Sequence, residues 1–241
     1  MMEEKNFEEF FNKAMEDFLK NKEIQEHKIG VYYPSELYNC IRKLFLMYKI
    51  PKELPLETLR VFESGLMCHA FVRNVLFKSF LGKEEIKEFV YEEPLIFEDG
   101  EIKIVGKFDD LLHFKLGDKN ILLEVKSVRD IRFFKEEVKK HHDMQFQFYI
   151  NMIKVPVEAL LMYIDRGNFK FKIFKIEKDE NVFKKLIERA RKLHYYLVKD
   201  EVPLPEGKID KEKKWMCNYC DYRRMCSEIG EKKKLVGKKE G

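Results

Sequence analysis

The sequence predicts an α/β or α+β fold with one central mixed sheet flanked by helices. Three observations lead to this prediction: apolar residues at helical spacing early in the chain, short segments rich in β-branched and aromatic residues in the middle, and alternating helix and strand patterns thereafter. The chain has 241 residues, 45% of them apolar and 37% charged, enough for one ordinary domain with appendages. Helices followed by strands and then by both are typical of a single sheet packed against helices.

Three helices are predicted in the first third of the chain. Phenylalanines and other apolar residues recur at helical spacing over residues 1–25, which indicates an amphipathic helix. A second helix is predicted over 35–48, because Ser35 suits a helix N-cap. A third helix is predicted over 59–81, ending near a glycine.

The middle of the chain has the character of a sheet. Residues 88–97, 102–114 and 120–128 are short segments separated by Asp-Gly and Gly-Asp turn signals. They predict three strands that form a meander.

A mixed helix and strand pattern follows. A helix is predicted over 131–153, then strands over 157–165 and 169–177 joined by a turn, then a helix over 181–198.

The chain is predicted to divide into four parts. Residues 201–214, which hold Pro203, Pro205 and Gly207, have the composition of a linker. The predicted parts are an N-terminal amphipathic helix (1–28), a core (29–200), a C-terminal cysteine region (201–230) and a basic tail (231–241).

Composition limits the cellular setting more than the function. The net charge is only +4, from 47 basic and 43 acidic residues, which neither requires nor excludes a nucleic-acid partner. No segment approaches the roughly 18 consecutive apolar residues of a membrane span. The N-terminus is acidic and amphipathic, unlike a secretory signal. We therefore expect a cytoplasmic protein with no membrane partner.

Two successive predicted strands carry carboxylates and a lysine. Asp109 follows Gly106 by three positions, and Glu124 and Lys126 lie two apart on the next strand. Residues two apart in a strand point to the same face, so Glu124 and Lys126 project together, and Asp109 can bring a second carboxylate close. Two carboxylates can hold Mg²⁺ or Mn²⁺, and a lysine can orient a water molecule or contact a phosphate oxygen. The alternative is a cross-strand ion pair on a solvated face.

Polar residues on two predicted helices add to this set. His69 falls on an apolar stripe predicted to face the core, where a histidine is either a core residue or a ligand. Gly65, one turn earlier, leaves access for a metal ion or a DNA backbone. Gln145 and Tyr149 share a helical face because they are four residues apart. They can contact a phosphate or its water, or cap a strand edge.

These residues form four motifs in a fixed order: Gly65-x3-His69, Gly106-x2-Asp109, Glu124-x-Lys126 and Gln145-x3-Tyr149. The order resembles the RecB-type nuclease family of the PD-(D/E)xK superfamily, over roughly residues 30–200, and implies a restriction-endonuclease-like core that uses Mg²⁺ or Mn²⁺. The residues that the resemblance assigns to the metal are His69, Asp109, Glu124 and, through its carbonyl, Val125. Those that it assigns to catalysis are Lys126, Glu124 and Asp109, supported by Gln145 and Tyr149. The Gly-x-x-Asp spacing favours Asp109 over Asp110.

Cys217, Cys220 and Cys226 form a C-x2-C-x5-C pattern near the C-terminus. The short spacing lets two thiolates bind one metal centre, with a third following. Five cysteines in a cytosolic chain indicate metal ligation or burial rather than disulfides. The candidates for a fourth ligand are Cys40 and Cys68, of which Cys68 is more simply a small buried hydrophobe.

Zinc is the ordinary occupant of a four-cysteine site, but a typical zinc ribbon has two C-x2-C pairs and this chain has one. A distant cysteine with a C-terminal triplet resembles the iron–sulfur arrangement of AddB-type helicase–nucleases and of CRISPR-associated exonucleases of the fourth Cas family. The pattern S-x-L-x-x-C-x-R-K around Cys40 is similar to the second family. The resemblance implies a [4Fe-4S] cluster, bound by Cys40, Cys217, Cys220 and Cys226, that fastens a terminal region to the core.

The resemblance implies a DNA exonuclease that acts on single strands or DNA ends. The sequence lacks a helicase phosphate-binding motif, so a small nuclease that trims DNA for the CRISPR spacer integrase complex fits it best. The alternatives are a repair or mobile-element nuclease outside CRISPR and a catalytically silent iron–sulfur DNA-binding module. Self-association into a homo-oligomer stays open.

Basic and aromatic residues near the cysteines favour a groove for single strands, or else pack around the cluster. They are Tyr38, Arg42, Lys43, Lys214, Trp215, Tyr219, Tyr222, Arg223 and Arg224.

Overall fold

The computed structural model describes residues 4–22, 27–80, 86–115, 117, 119–134 and 136–230, which form a mixed α/β fold. The helices are α1 (Glu4–Lys20), α2 (Ile41–Lys49), α3 (Leu56–Phe80), α4 (Lys140–Met152), α5 (Glu180–Lys199), α6 (Glu206–Ile209) and α7 (Arg223–Ile229). The strands are β1 (Val31–Tyr32), β2 (Ile86–Tyr91), β3 (Pro94–Asp99), β4 (Ile102–Lys107), β5 (Asp110–Phe114), β6 (Asn120–Val128), β7 (Glu158–Asp165) and β8 (Phe171–Ile176). Two 3-10 segments cover Ile131–Phe133 and Lys211–Tyr219. The predicted basic tail lies outside the described residues.

The strands form two sheets. The larger has the order β2-β5-β6-β7-β8, in which β6 and β7 are parallel and the other pairs are antiparallel. The smaller has the order β1-β4-β3, with β1 parallel to β4. The mixed character of the larger sheet is as predicted, but the prediction of one central sheet is wrong, because β1, β4 and β3 form a second sheet.

Helices cover both faces of the larger sheet. Helices α2, α4 and α5 pack into the main core, which includes Leu122 of β6. Helix α3 packs on the other face, where Cys68 and Val72 join Leu123 and Val125 of β6 in a smaller apolar cluster. The alternation of faces along β6 therefore determines which helix each of its side chains meets. None of the described helices is long and apolar enough to cross a membrane.

The predicted three-strand meander is wrong, because its first two strands each divide between the two sheets. The first breaks at Glu92, whose φ of 51° is a left-handed conformation, and resumes at Pro94 in the smaller sheet. The second breaks at Phe108 and Asp109, where Phe108 turns into the core and is 2% exposed. The third strand, over 120–128, is confirmed.

Two predicted helices begin later than expected. Residues preceding α2 form tight turns, with Asn39 N–H donating to the Glu36 carbonyl at 2.8 Å, so the helix starts at Ile41 and Ser35 is not its N-cap. The helix predicted over 131–153 begins only at Lys140, because Asp130 caps a 3-10 turn instead. The helices predicted over 59–81 and 181–198 are confirmed within three residues at each end.

The predicted linker is an ordered, partly buried segment that is fastened to the core. Val202 is only 5% exposed, and α6 and the second 3-10 segment follow it. Glu206 accepts hydrogen bonds from the Ile41 N–H at 3.0 Å, from Arg189 Nη2 at 2.9 Å and from Lys213 Nζ at 3.1 Å. Arg189 also donates to the carbonyls of Leu37 and Asn39. This network joins the C-terminal segment to α5 and to the start of α2.

We expect Glu206→Gln to lower the Tm at neutral pH, because removing one partner from a mostly buried ion pair costs about 3–5 kcal/mol. Burial opposes ionisation of this carboxyl, but the Arg189 hydrogen bond and charge and the Lys213 charge lower its pKa to about 2. The folded pKa is below that of the unfolded chain, so the stabilisation is complete above pH of about 4.5 and is lost as the pH falls towards 2. The Tm difference between wild type and variant should shrink across this interval. A difference that does not change with pH would contradict the assignment.

Candidate active site

The candidate site lies where β5 and β6 separate. Strand β6 pairs with β7 as far as Val128 but with β5 only as far as Leu123. Asp109 precedes β5 and occupies the edge that this leaves, because its Oδ2 accepts the Val125 N–H at 2.7 Å. The N–H and carbonyl of a strand residue point to the same side, so the Val125 carbonyl faces this edge as well.

Glu124 and Lys126 project from β6 to the same face, as their spacing predicts. Lys126 Nζ lies 2.7 Å from Glu124 Oε1 and donates to Gln145 Oε1 of α4 at 2.8 Å. Gln145 Nε2 in turn donates to the Tyr149 hydroxyl at 3.4 Å. Glu124 is 1% exposed, so this pair differs from an ion pair on a solvated face.

His69 approaches the same carboxylates from α3. Its Nδ1 lies 3.1 Å from Asp109 Oδ1, so Asp109 is shared between the helix and the Val125 backbone. The stripe predicted to face the core is only partly buried: Val72 is 5% exposed, whereas Phe62 and Leu66 are 55% and 56% exposed. That part of the prediction is wrong, because the first half of α3 borders an open cleft.

Two glycines permit these close approaches. A Cβ on Gly106 would lie 2.8 Å from the Tyr149 ring and 3.0 Å from Pro34. A Cβ on Gly65 would lie 3.3 Å from Ser127 Oγ of β6. Gly106 is therefore required for Tyr149 to pack against β4, and Gly65 brings α3 close to the strand that carries Glu124.

Burial makes the charges of the site costly. Desolvation, reinforced by the Asp109 charge and partly offset by Lys126, raises the pKa of Glu124 to about 7. Among the described residues, Glu124 Oε2 is one of few buried side-chain polar atoms without a hydrogen-bond partner. Burial alone would lower the pKa of His69, but its hydrogen bond to Asp109 and the carboxylate charges outweigh that effect and raise it. Burial also raises the pKa of Tyr149, so its hydroxyl stays protonated.

The donor set fits a hard divalent cation. Glu124 offers a buried oxygen that has no partner among the described residues, and Asp109 and the Val125 carbonyl supply further oxygens at the same edge. A buried carboxylate oxygen without a hydrogen-bond partner is energetically costly, and a cation would supply the missing interaction. The described residues do not, however, already form a cluster of three or more His, Cys, Asp or Glu side chains at metal-binding separation.

Asp110, the alternative to Asp109, is directed elsewhere. Its Oδ1 accepts from Arg73 Nε at 3.3 Å, and Arg73 also pairs with Glu92 at 2.9 Å. Burial raises the pKa of Asp110 to about 6, against the lowering effect of Arg73. The sequence did not single out Arg73, although it follows His69 by one helical turn.

The site opens into a cleft of about 2450 Å³. His69, Lys126, the exposed part of α3 and residues after β6 line it, together with His141, which lies one turn before Gln145 on α4. His141 was not predicted from the sequence, although its spacing to Gln145 and Tyr149 places all three along one face of α4. The basic residues that line the cleft are Lys22, Lys28, Lys43, Lys52, Lys126, Arg129, Lys139 and Arg166.

The predicted cysteine ligands are only partly brought together. Burial raises the pKa of the Cys220 thiol, and Cys40 and Cys226 lie close enough to raise it further. The Cys217 Sγ lies instead against Gly207, at 2.6 Å from where a Cβ on that glycine would be. Cys68 is 2% exposed in the apolar cluster beneath α3, away from these residues.

Several of the predicted groove residues have structural roles. Arg42 is buried and donates to the carbonyls of Pro203 and Gly230, both at 2.6 Å. Tyr222 is 3% exposed, whereas Trp215 and Tyr219 are 46% and 78% exposed. Of these predicted groove residues, Trp215 and Tyr219 are accessible to a nucleic acid, whereas Arg42 and Tyr222 are buried.

The sequence matches the family model of the PD-(D/E)XK nuclease superfamily over residues 2–227. The crystal structure of SSO0001 is similar with a TM-score of 0.59 and 22% identity, covering 91% of this chain and 95% of that chain. The crystal structure of a phage related exonuclease from Haemophilus somnus 129PT gives a TM-score of 0.41 and 15% identity, covering 65% and 78%. The first likeness shows a shared fold, and the second is too low to carry an argument. No significant match is found among the curated proteins.

We expect Mn²⁺ or Mg²⁺ to raise the Tm, because a ligand at 100 times its Kd stabilises the folded state by about 2.7 kcal/mol. Glu124→Gln should abolish most of this shift, since it removes the buried carboxylate with little change of shape. Asp110→Asn is the matched control: its carboxyl is equally buried but bonds to Arg73, so the shift should persist. Equal shifts in both variants, measured by thermal denaturation with and without EDTA, would place the cation elsewhere.

Proposed function

The chain belongs to the PD-(D/E)XK nuclease superfamily, and on that premise we propose that it is a metal-dependent DNA nuclease acting on single strands or DNA ends. One observation carries the proposal. The acidic residue and the lysine of the Glu-x-Lys motif lie together on a buried strand edge beside Asp109, and one Glu124 oxygen has no partner among the described residues.

Asp109, Glu124, His69 and the Val125 carbonyl would hold Mg²⁺ or Mn²⁺. When bound, such a cation supplies Lewis acidity towards a phosphate and lowers the pKa of a coordinated water molecule. The hydrogen bond from the Val125 N–H orients the Asp109 carboxylate, and His69 contacts its other oxygen. Two independent contacts thus fix the carboxylate that the metal needs.

Lys126 would place a positive charge at the scissile phosphate or orient the attacking water. Its ammonium group lies between Glu124 Oε1 and Gln145 Oε1, at 2.7 and 2.8 Å, and the side chain is 17% exposed towards the cleft. The Tyr149 hydroxyl binds the Gln145 amide, so α4 fixes the direction of the lysine. Gln145 and Tyr149 therefore act here as positioning residues.

Lys126→Ala should lower the cleavage rate by about 10²–10³-fold, because it removes one preorganised cation from the transition state. The rate is measured from the cleavage of end-labelled single-stranded DNA in Mg²⁺ or Mn²⁺. EDTA should stop cleavage by the wild type. DNA affinity, measured in Ca²⁺, should change little because one of several basic residues is lost.

Lys119→Ala is the matched control for that experiment. Lys119 directly precedes β6 and, like Lys126, pairs with a glutamate, Glu158, at 2.5 Å, but it lies at the opposite end of the strand. Its loss should leave the rate unchanged. Cleavage by Lys126→Ala within about threefold of the wild type, well short of the usual loss, would reduce the Glu124–Lys126 pair to a structural role.

We also propose a [4Fe-4S] cluster bound by Cys40, Cys217, Cys220 and Cys226, with zinc as the alternative occupant. The sequence resemblance and the proximity of Cys40 and Cys226 to Cys220 support it. Cys217 Sγ packs against Gly207, where a side chain would collide with it. The cluster would tie the predicted cysteine region, 201–230, to the proposed nuclease core, 29–200.

A buried arginine beside these thiols supports an anionic occupant. Arg42 is 1% exposed, its Nη1 lies 3.7 Å from Cys226 Sγ, and its Nη2 is buried without a partner in the described residues. Burying an unpaired guanidinium is costly unless a negative charge lies nearby. Thiolates that ligate a metal cluster would supply that charge.

Anaerobically purified protein should be brown, and alanine at Cys40 or at any of the C-terminal triplet should bleach it and lower the Tm, because the link between distant segments is lost. Cys68→Ala is the control and should keep the colour. The visible absorption spectrum and the iron and zinc contents of each variant test whether the cluster is present and which cysteines bind it. Colourless protein with one zinc per chain would discard the iron, and a bleached Cys68 variant would change the fourth ligand.

On the sequence resemblance alone, we propose that the nuclease trims DNA for the CRISPR spacer integrase complex. The pattern around Cys40 and the lack of a helicase motif favour this context. The competing contexts are DNA repair and mobile elements, and the genes that neighbour this one would separate them. A silent DNA-binding module is the remaining alternative, and it predicts DNA binding with no cleavage in any divalent cation.

A further inference from the structure

We propose that Phe133 is a base-stacking residue that selects unpaired nucleotides in the cleft, an inference that rests on the proposed action on DNA. At 83% exposed, it is the most accessible large apolar side chain among the described residues. It lines the same cleft as His69 and Lys126. An aromatic ring exposed to water in a cleft lacks the favourable free energy of burial that a bound group stacked on it would provide. We therefore infer that a bound group covers this ring.

The backbone holds Phe133 outward in a fixed position. Its neighbours Ile131 and Phe134 are both 7% exposed, and Phe134 packs on Tyr163 with ring centroids 4.2 Å apart. The Ile131 N–H donates to Asp165 Oδ2 at 3.1 Å, which anchors the turn to the end of β7. The ring is therefore presented by a turn anchored on both sides.

The chemistry around the ring fits a nucleic-acid strand. Lys126, Arg129, Lys139 and Arg166 line the same cleft, and cations beside an exposed ring match a phosphate backbone with a stacked base. Two acids lie three residues from Phe133 along the chain: Asp130, which is paired with Arg132 at 2.7 Å, and Glu136, which is exposed and does not line the cleft. Stacking needs an unpaired base, because the bases of a duplex are already stacked on one another. The ring thus favours single-stranded DNA or frayed ends.

Chain length limits where the stacked base lies. Phe133 follows Lys126 by seven residues, which span at most about 25 Å. At about 3.4 Å per nucleotide, the stacked base lies within roughly seven nucleotides of the scissile phosphate. In a set of oligonucleotides that each carry one abasic position, the abasic position should therefore weaken binding only when it lies within that distance of the scissile phosphate.

The test measures DNA binding in EDTA, where metal-dependent cleavage does not occur. Phe133→Ala should weaken binding of fluorescent oligothymidylate in EDTA by roughly 5- to 140-fold, the range for loss of one base–aromatic stack, while Phe133→Tyr should restore it. Phe171→Ala is the matched control, since Phe171 is 59% exposed on β8 and does not line the cleft. With Trp215 replaced by Phe in both variants, added oligonucleotide should quench the tryptophan fluorescence of Phe133→Trp but not that of Phe171→Trp.

The outcomes distinguish this proposal from the nuclease proposal. Two results would overturn the stacking site even if the wild type cuts DNA. One is equal binding by wild type and Phe133→Ala. The other is a loss of affinity at the abasic position that is the same in both proteins. Either result is also expected if Phe133 contacts a protein partner instead. Binding that depends on Phe133, in a protein that cuts no DNA with Mg²⁺ or Mn²⁺, would keep the stacking site and discard the nuclease.

Discussion

The unequal pairing of β6 is the constraint on which the rest of the site depends. This strand is buried between two helical layers and follows β7 along most of its length, but β5 leaves it after Leu123. An open strand edge inside a protein leaves backbone groups without partners, which is costly. Asp109 resolves this by accepting the Val125 N–H, and it thereby places a carboxylate where Glu124 and Lys126 emerge. The separation of β5 from β6 therefore brings Asp109 next to Glu124 and Lys126.

The buried charges make the site energetically costly. Glu124 is buried next to Asp109, one of its oxygens has no partner among the described residues, and desolvation and the Asp109 charge raise its pKa to about 7. A structural role alone would be served as well by an apolar residue of similar volume, without the desolvation cost. The surrounding packing maintains the arrangement: Val125 is fully buried beneath α3, and Tyr149 fits only because position 106 lacks a Cβ. A bound cation would convert this unfavourable cluster into a favourable one.

Local periodicity predicted the parts of the site that lie on single elements. The strand period of two placed Glu124 with Lys126, and the helical period placed Gln145 with Tyr149. The division of the predicted meander was not readable, because the left-handed conformation of Glu92 and the inward turn of Phe108 depend on a second sheet. The exposure of Phe62 was missed for a similar reason, since periodicity identifies an apolar stripe but not whether another element covers it.

The cysteine region shows where spacing stops being informative. The C-x2-C-x5-C pattern identifies candidate thiols, but their convergence depends on contacts that are remote in sequence. Glu206 and Arg189 hold the segment against α2, and Arg42 reaches from α2 to Cys226. These charged contacts join the segment to the core, so they and a cluster would act on the same junction. Thiolates that ligate a metal there would place negative charge beside Arg42, whose Nη1 lies 3.7 Å from Cys226 Sγ and whose Nη2 is buried without a partner among the described residues.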